Sequence, residues 1–189
     1  MADQGSEGLL SPYLRRRRIA AAQPFLRGRV LDVGCGAGAL AGLVPPDRYV
    51  GVDPDADSLS AARRAWPAHA FLDTMPDGDP GFDTVVSLAV IEHVPDPQAF
   101  LGALGAMLKG GAGDRIVLTT PRPAVDWLHG AGAAVGIFSS HASEEHEALL
   151  GRRDLEALAR AGGFAVELYR RFLSGANQLL VLRHGGPAA

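Results

Sequence analysis

The sequence predicts an α/β protein whose seven-stranded, mostly parallel sheet has helices on both faces and ends in an antiparallel hairpin. Three observations support this prediction. Five short apolar segments alternate with helical segments, as in parallel sheets that are buried on both faces. The first of them runs directly into a glycine-rich loop at residues 34–38. Two further apolar segments, at 164–172 and 178–183, are separated by a connection at residues 174–177 that is short enough for a hairpin.

The predicted strands are apolar and rich in β-branched residues. They cover residues 29–33, 49–53, 70–72, 82–88 and 115–120, and the hairpin strands cover 164–172 and 178–183. Helices are predicted at residues 12–26, near 38–43, and at 55–65, 97–108 and 152–161. Their ends are set by Gly28 after the first helix, Pro45 after the second, and Asp55 or Asp57 as cap of the third.

Four consecutive arginines occupy residues 15–18 of the first predicted helix. Successive helical residues point in different directions around the axis, so one ligand cannot meet all four. The run is therefore interpreted as a solvated surface rather than a phosphate site.

Length and composition favour one domain. The 189 residues, 47% of them hydrophobic, suffice for one core and are too few for two full domains. We therefore predict a single domain over residues 1–189, with a helical N-terminal segment at 9–28. A net charge of -3 disfavours tight, sequence-independent binding to nucleic acid.

The expected environment is the cytoplasm. Cys35 is the single cysteine, which excludes an intramolecular disulfide. We find no signal peptide and no apolar run near the roughly 20 residues needed to span a bilayer. We expect a soluble monomer or homodimer with no membrane contact.

The glycine loop, VLDVGCGAG at residues 30–38, is compatible with two cofactors. Gly34, Gly36 and Ala39 fit the G-x-G-x-x-A fingerprint of dinucleotide sites, and Asp53 follows about 20 residues later, so an NAD(P)-linked oxidoreductase is one alternative. Asp32 argues against it, because a carboxylate at the end of the first strand would repel a pyrophosphate. It would attract the ammonium and sulfonium groups of S-adenosylmethionine.

Further motifs follow in order: GVDPD at 51–55, FLDTMPDGDPGFDTVVSLAVIEHVPDP at 71–97 and LTTPRP at 118–123. With them, residues 30–164 resemble the class I S-adenosylmethionine-dependent methyltransferases. The resemblance implies a Rossmann-like fold, S-adenosylmethionine as cofactor and S-adenosylhomocysteine as product. It also implies direct methyl transfer to oxygen or nitrogen of a small-molecule acceptor, such as a natural product, a sugar or a quinone-like compound.

The resemblance also implies which residues contact the cofactor. Around the methionine moiety it places Asp32, Gly34, Gly36 and Gly38. At the nucleoside it places Asp53 on the ribose, Pro54 beside it, Asp73 on the adenine amino group, and Thr74 and Met75 next to the adenine. At the end of the fourth strand it places Ser87 and Leu88, which complete the wall near the methionine moiety.

Fewer motifs indicate which molecule accepts the methyl group. The tetrapeptide of base-amino methyltransferases and the nucleophilic cysteine of cytosine C5 enzymes are missing, which disfavours base methylation. Glu92 and His93 begin a segment that resembles the loop of ubiquinone-biosynthesis and other small-molecule methyltransferases. His93 could act as a base toward the acceptor or could fix the loop, and both interpretations stay open.

A metal-assisted RNA 2'-O-methyltransferase is an alternative. Glu92 and His93 match half of the Glu-x-x-Glu-His motif of those enzymes, and His141 or His146 could supply a distant ligand. Ala89 stands where the first glutamate would be, so we predict no metal site. The acidic chain also lacks the basic surface expected for RNA.

Residues 124–148 are predicted to form an acceptor-binding insertion or lid. His141 and His146 of this segment are candidate catalytic residues, together with Glu92 and His93. A third alternative is a binding module that holds the cofactor without catalysis.

Overall fold

The computed structural model describes residues 11–77, 81–123 and 150–185. In these ranges seven strands form one sheet in the order β3-β2-β1-β4-β5-β7-β6. The strands are β1 (Val30–Val33), β2 (Tyr49–Val52), β3 (Ala70–Leu72), β4 (Thr84–Leu88), β5 (Arg115–Pro121), β6 (Phe164–Phe172) and β7 (Asn177–His184). Strands β1 to β5 pair in parallel, and β7 runs antiparallel to both β5 and β6. The predicted fold class is confirmed.

Helices cover both faces of the sheet. They are α1 (Ser11–Ala22), α2 (Ala56–Ala65), α3 (Pro97–Ala106) and α4 (Arg152–Ala161). One core packs apolar residues of α3 and α4 against the sheet, including Leu104 and Leu155. The other contains Ala22 of α1 and Leu59 of α2. The central strands β1, β4 and β5 are thereby buried almost throughout, as parallel strands require.

The strand order creates a crevice at the centre of the sheet. β1 pairs with β2 on one side and with β4 on the other, so the chain reverses its direction of winding between them. Ligands of open α/β sheets bind outside the carboxyl ends of the strands at such a switch point. The glycine loop follows β1 at this position.

The predicted helix at 38–43 is wrong. The residues after the loop form turns and a short 3-10 helix, Ala41–Leu43. The hydrogen bonds of the turns connect residues three apart: Gly38 N donates to Cys35 O and Ala41 N donates to Gly38 O, each at 3.0 Å. Between the glycines and Pro45 too few residues remain to offset the cost of starting an α-helix.

Other boundaries differ by a few residues. The first helix was predicted to reach residue 26, but α1 ends at Ala22 and a 3-10 helix, Gln23–Phe25, follows because Pro24 cannot donate an intrahelical hydrogen bond. β4 begins at Thr84, and Phe82 only bridges Leu108. Asp55 is the cap of α2, because its side chain accepts a hydrogen bond from Ser58 N at 3.0 Å.

None of the helices within 11–77, 81–123 and 150–185 is long and apolar enough to cross a lipid bilayer.

Candidate functional site

An open cleft of about 190 Å³ lies at the carboxyl ends of β1 and β4. One wall is α1, which contributes Arg15, Arg18 and Ile19. The opposite side is formed by Asp32 and the glycine loop, and Leu88 and Ala89 line it at the end of β4. The cleft thus occupies the crevice that the strand order creates.

The glycine loop is hydrogen-bonded to β2 on one side and faces the cleft on the other. Gly34 N and Cys35 N both donate to Val52 O, at 2.8 and 3.0 Å, which ties the loop to β2. A Cβ on Gly34 would come within 2.3 Å of the Val90 side chain, whereas a Cβ on Gly36 would meet nothing within 4 Å. Gly36 therefore presents bare backbone to the cleft, as close approach of a ligand requires.

Asp32 is a buried carboxylate at the cleft. Only 3% of its surface is exposed, and Oδ2 accepts a hydrogen bond from the Tyr49 hydroxyl at 2.8 Å. Burial, opposed by the Tyr49 hydrogen bond and reinforced by the charge of the nearby Asp53, raises the pKa of Asp32 to about 7. A cation in the cleft would compensate the cost of keeping this carboxylate charged. The site thus fits a ligand that carries a positive group.

Asp53 connects the loop to the end of β2. Its Oδ2 accepts from Gly36 N at 2.7 Å, and its Oδ1 accepts from Asp55 N at 3.0 Å. The carboxylate is half-buried, and the following Pro54 is exposed. These contacts fix the loop, and the predicted role of Asp53 toward a ribose stays a prediction.

The residues assigned to the adenine follow β3. Asp73 and Thr74 are exposed, and Met75 is half-buried against the core that contains α3 and α4. At the end of β4, Ser87 is buried, and its Oγ has no hydrogen-bond partner within the described ranges. The predicted contacts of these residues with a cofactor stay predictions.

Glu92 and His93 share a short 3-10 helix, Ile91–His93, but differ in exposure. Glu92 is 3% exposed, and its Oε2 accepts from Thr120 Oγ1 at 2.9 Å. Burial raises the pKa of Glu92, while the charge of Arg18 opposes this shift. His93 is exposed. Glu92 therefore lies inside the protein, where one of its carboxylate oxygens is hydrogen-bonded to Thr120.

The remaining metal candidates lie elsewhere in the chain. His141 and His146, and the predicted insertion at 124–148, lie outside the described residues. Within those that are described, no group of three or more histidine, cysteine, aspartate or glutamate side chains could hold a metal ion.

The prediction that the arginine run is a solvated surface is wrong for Arg18. Arg16 and Arg17 are exposed, but Arg18 is half-buried and its Nε donates to Asn177 Oδ1 at 3.2 Å. Burial lowers the pKa of Arg18, and Glu92 raises it. The three-residue spacing of Arg15 and Arg18, which places them on one helix face, was the available signal.

Cys35, within the glycine loop, is buried. Burial, followed by the charges of Asp32 and Asp53, raises the pKa of its thiol to about 12. A thiol in this state is inert as a nucleophile near neutral pH.

Comparison with known proteins identifies the family. A family model described as a methyltransferase domain matches residues 8–169. The chain belongs to the methyltransferase domain family. This confirms the family resemblance drawn from the motifs.

Individual relatives align with only part of this methyltransferase-domain chain. It is 42% identical over 119 residues to a ubiquinone biosynthesis O-methyltransferase of Bradyrhizobium sp. (strain ORS 278), which covers 57% of this chain and 45% of the relative. The chain therefore spans about half the length of the curated relatives it matches.

Solved structures share the fold. A magnesium protoporphyrin IX methyltransferase from Synechocystis PCC 6803, with bound S-adenosylhomocysteine, matches with a TM-score of 0.65 and 15% identity over 95% of this chain and 89% of that one. An S-adenosylmethionine-dependent methyltransferase from Clostridium acetobutylicum ATCC 824 matches with a TM-score of 0.64 and 12% identity, over 92% and 90% of the two chains.

Proposed function

We propose that this chain transfers the methyl group of S-adenosylmethionine to a hydroxyl group of a small, quinone-like acceptor. The observation that carries the proposal is the buried carboxylate of Asp32 beside the bare backbone of Gly36 at the cleft. A dinucleotide would bring a pyrophosphate to this position, where Asp32 would repel it. A methionine moiety would bring an ammonium group, which Asp32 attracts.

We assign the methionine moiety to the walls of the cleft. Asp32 receives its ammonium group, and Gly34 and Gly36 allow close approach of the backbone. Arg15 and Arg18 line the opposite wall and are available to its carboxylate. In our assignment the nucleoside extends toward Asp53 and the residues after β3, Asp73 to Met75. The cofactor is further surrounded by Ser87, Leu88, Gly38 and Pro54.

When bound, S-adenosylmethionine would supply a methyl group on a positively charged sulfur: the acceptor's lone pair bonds to the methyl carbon, the carbon–sulfur bond breaks, and S-adenosylhomocysteine leaves. The chain itself has to align the acceptor with that methyl group and exclude water. A hydroxyl acceptor also has to lose a proton. We assign this step to His93, because Glu92 is buried and bonded to Thr120. The predicted candidates His141 and His146 remain alternatives.

The choice of acceptor rests on the curated relatives. Proteins described as ubiquinone biosynthesis O-methyltransferases are 36 to 42% identical to this chain over the part that aligns. We therefore favour oxygen over nitrogen, and a quinone-like acceptor over a sugar. Cytoplasmic location, the monomeric or homodimeric state and the single domain over residues 1–189 stay predictions.

Calorimetry and methyl transfer test the proposal. We expect S-adenosylhomocysteine to bind with one molecule per chain and NADH not to bind. With methyl-labelled S-adenosylmethionine, we expect label on catechols and not on anilines, and the rate to be unchanged by EDTA. Binding of NADH in place of S-adenosylhomocysteine would refute the cofactor, and labelling of an RNA oligonucleotide that EDTA abolishes would favour the metal-assisted alternative.

The variant Asp32→Asn tests the assignment of the ammonium group, because it keeps the shape of the side chain and removes its charge. We expect it to weaken S-adenosylhomocysteine binding about tenfold or more, which corresponds to the loss of one charge-assisted hydrogen bond. An unchanged affinity would contradict the assignment of the ammonium group to Asp32.

A further inference from the structure

Tyr49 and Asp32 are in direct contact below the cleft. Tyr49 is the first residue of β2 and is 1% exposed, and its hydroxyl donates to Asp32 Oδ2 at 2.8 Å. The parallel register pairs Val30 with Tyr49 and Asp32 with Gly51. Alternate residues of a strand share a face, so Tyr49 lies on the face that carries Asp32. The contact therefore follows from the pairing of two neighbouring strands.

The ring of Tyr49 is held in one orientation. It makes edge contacts with Phe71, at 5.8 Å between ring centres, and with His69, at 5.5 Å. His69 is itself anchored, because its Nε2 lies 3.0 Å from Val44 O. Gly51 leaves room for the Phe71 ring that contacts Tyr49: a Cβ on Gly51 would lie 2.8 Å from Phe71 and 2.9 Å from the Cys35 sulfur. The packing thus aims the hydroxyl at Asp32.

We propose that Tyr49 is a positioning residue of the cofactor site, whose hydroxyl holds the Asp32 carboxylate charged and oriented toward the ammonium group of the methionine moiety. This inference rests on the proposed function. Tyr49 engages Oδ2, and we assign Oδ1 to the ligand. Tyr49 acts through Asp32 and does not contact the reacting atoms.

The groups around Asp32 oppose one another. Asp53, at the end of β2, and burial both favour the neutral carboxyl group, whereas the hydroxyl of Tyr49 favours the carboxylate. The Cys35 thiol is neutral because its pKa is raised. Arg15 and Arg18 of α1 lie on the other wall of the cleft, and Arg63 of α2 donates to Phe71 O at 2.8 Å.

The hydroxyl of Tyr49 itself stays protonated. Burial, followed by the negative charge of Asp32, raises its pKa far above neutral. Tyr49 is therefore a hydrogen-bond donor over the whole range in which Asp32 titrates.

The variant Tyr49→Phe tests the proposal, because it keeps the ring and removes the donor. The affinity for S-adenosylhomocysteine is measured by calorimetry with the full chain from about pH 5.5 to about pH 8.5. The pKa of Asp32 is measured in the ligand-free chain by carbon NMR. Loss of one hydrogen bond to a carboxylate should raise the pKa and the binding midpoint by about one pH unit. Affinity should then fall about fivefold at pH 7 and agree within about twofold at pH 8.5.

Tyr169→Phe is the matched control. Its hydroxyl also makes one side-chain hydrogen bond, to Gln178 Oε1 at 3.1 Å, but on β6 at the edge of the sheet. We expect its binding profile to superimpose on that of the unsubstituted protein. A purely structural role of Tyr49 would lower thermal stability in Tyr49→Phe and leave the pH midpoint in place, and that result would overturn the proposal.

Asp32→Asn gives a second route if Tyr49→Phe does not fold. Without a titrating group at position 32, the midpoint in this pH range should disappear. Where Tyr49→Phe does fold, adding it to Asp32→Asn should change the affinity less than about twofold, because the two residues act together. Persistence of the midpoint in Asp32→Asn would overturn the positioning role. Absence of binding by the unsubstituted protein at every pH would overturn the proposed function and the positioning role together.

Discussion

Replacing Gly34 by alanine should destabilise the fold far more than the same change at Gly36. Both residues have left-handed backbone, with φ of +79° and +51°. This conformation costs an alanine about 1–2 kcal/mol. At Gly34 the added Cβ would also come within 2.3 Å of Val90, and such crowding in a packed region costs about 1–3 kcal/mol more. We expect losses of about 2–5 kcal/mol for Gly34→Ala and about 1–2 kcal/mol for Gly36→Ala.

Urea unfolding followed by circular dichroism measures the difference. Gly102→Ala is the control, because Gly102 lies within α3 and an added Cβ would meet nothing within 4 Å. It should stabilise the protein by about 0.5–1 kcal/mol. Gly36→Ala should keep most of its stability and yet bind S-adenosylhomocysteine at least about tenfold more weakly, because its methyl group stands in the cleft. Equal losses of stability for Gly34→Ala and Gly36→Ala would refute the reasoning.

Three further predictions concern charged side chains. Asp32 has a folded-state pKa of about 7 and an unfolded value of about 3.9, so the folded protein holds the extra proton between these values and loses stability as pH rises from about 4 to about 7. Asp32→Asn should abolish this fall and raise the free energy of unfolding at pH 8 by up to about 4 kcal/mol, and urea titrations that retain the original pH profile would contradict this. Glu92→Gln keeps an acceptor for Thr120 and should change the free energy of unfolding by less than about 1 kcal/mol, whereas Glu92→Ala should cost about 2–3 kcal/mol; similar denaturation midpoints for the two variants would argue against the hydrogen bond. Arg18→Gln should weaken binding of S-adenosylhomocysteine about tenfold, with Arg16→Gln within about twofold as control, and calorimetry that finds equal effects would remove Arg18 from the site.

The strands and the loop were predictable because their signals are local. Apolar runs bounded by glycine, proline or aspartate marked all seven strands to within about two residues, and alternation with helices implied parallel pairing. Gly34 illustrates why the loop could be found. Its backbone is left-handed directly after a strand, and this conformation strongly favours glycine. The cap at Asp55 followed from the same kind of local rule.

The errors occurred where contacts with residues distant in sequence determine the local conformation or the exposure of a side chain. The spacing of Arg15 and Arg18 placed them on one helix face, but the sequence did not show that this face of α1 lies toward the cleft. The helix expected at 38–43 was replaced by turns because the loop is bonded to Val52 on β2 and ends at Pro45. Glu92 was predicted only as a candidate catalytic residue after β4, and its hydrogen bond with Thr120 on β5 could not be predicted from either segment alone.

The sequence by itself determined the fold class, the family and the position of the glycine loop, because periodicity, glycine placement and motif order are properties of short segments. It also singled out Asp32, since a carboxylate at the end of β1 is chemically unexpected beside a phosphate. Only the tertiary structure decided how Asp32 is held. Its contact with Tyr49 depends on the register of β1 against β2, and the wall that faces it depends on where α1 crosses the sheet. Both are set by packing between segments far apart in the chain, which no local pattern records.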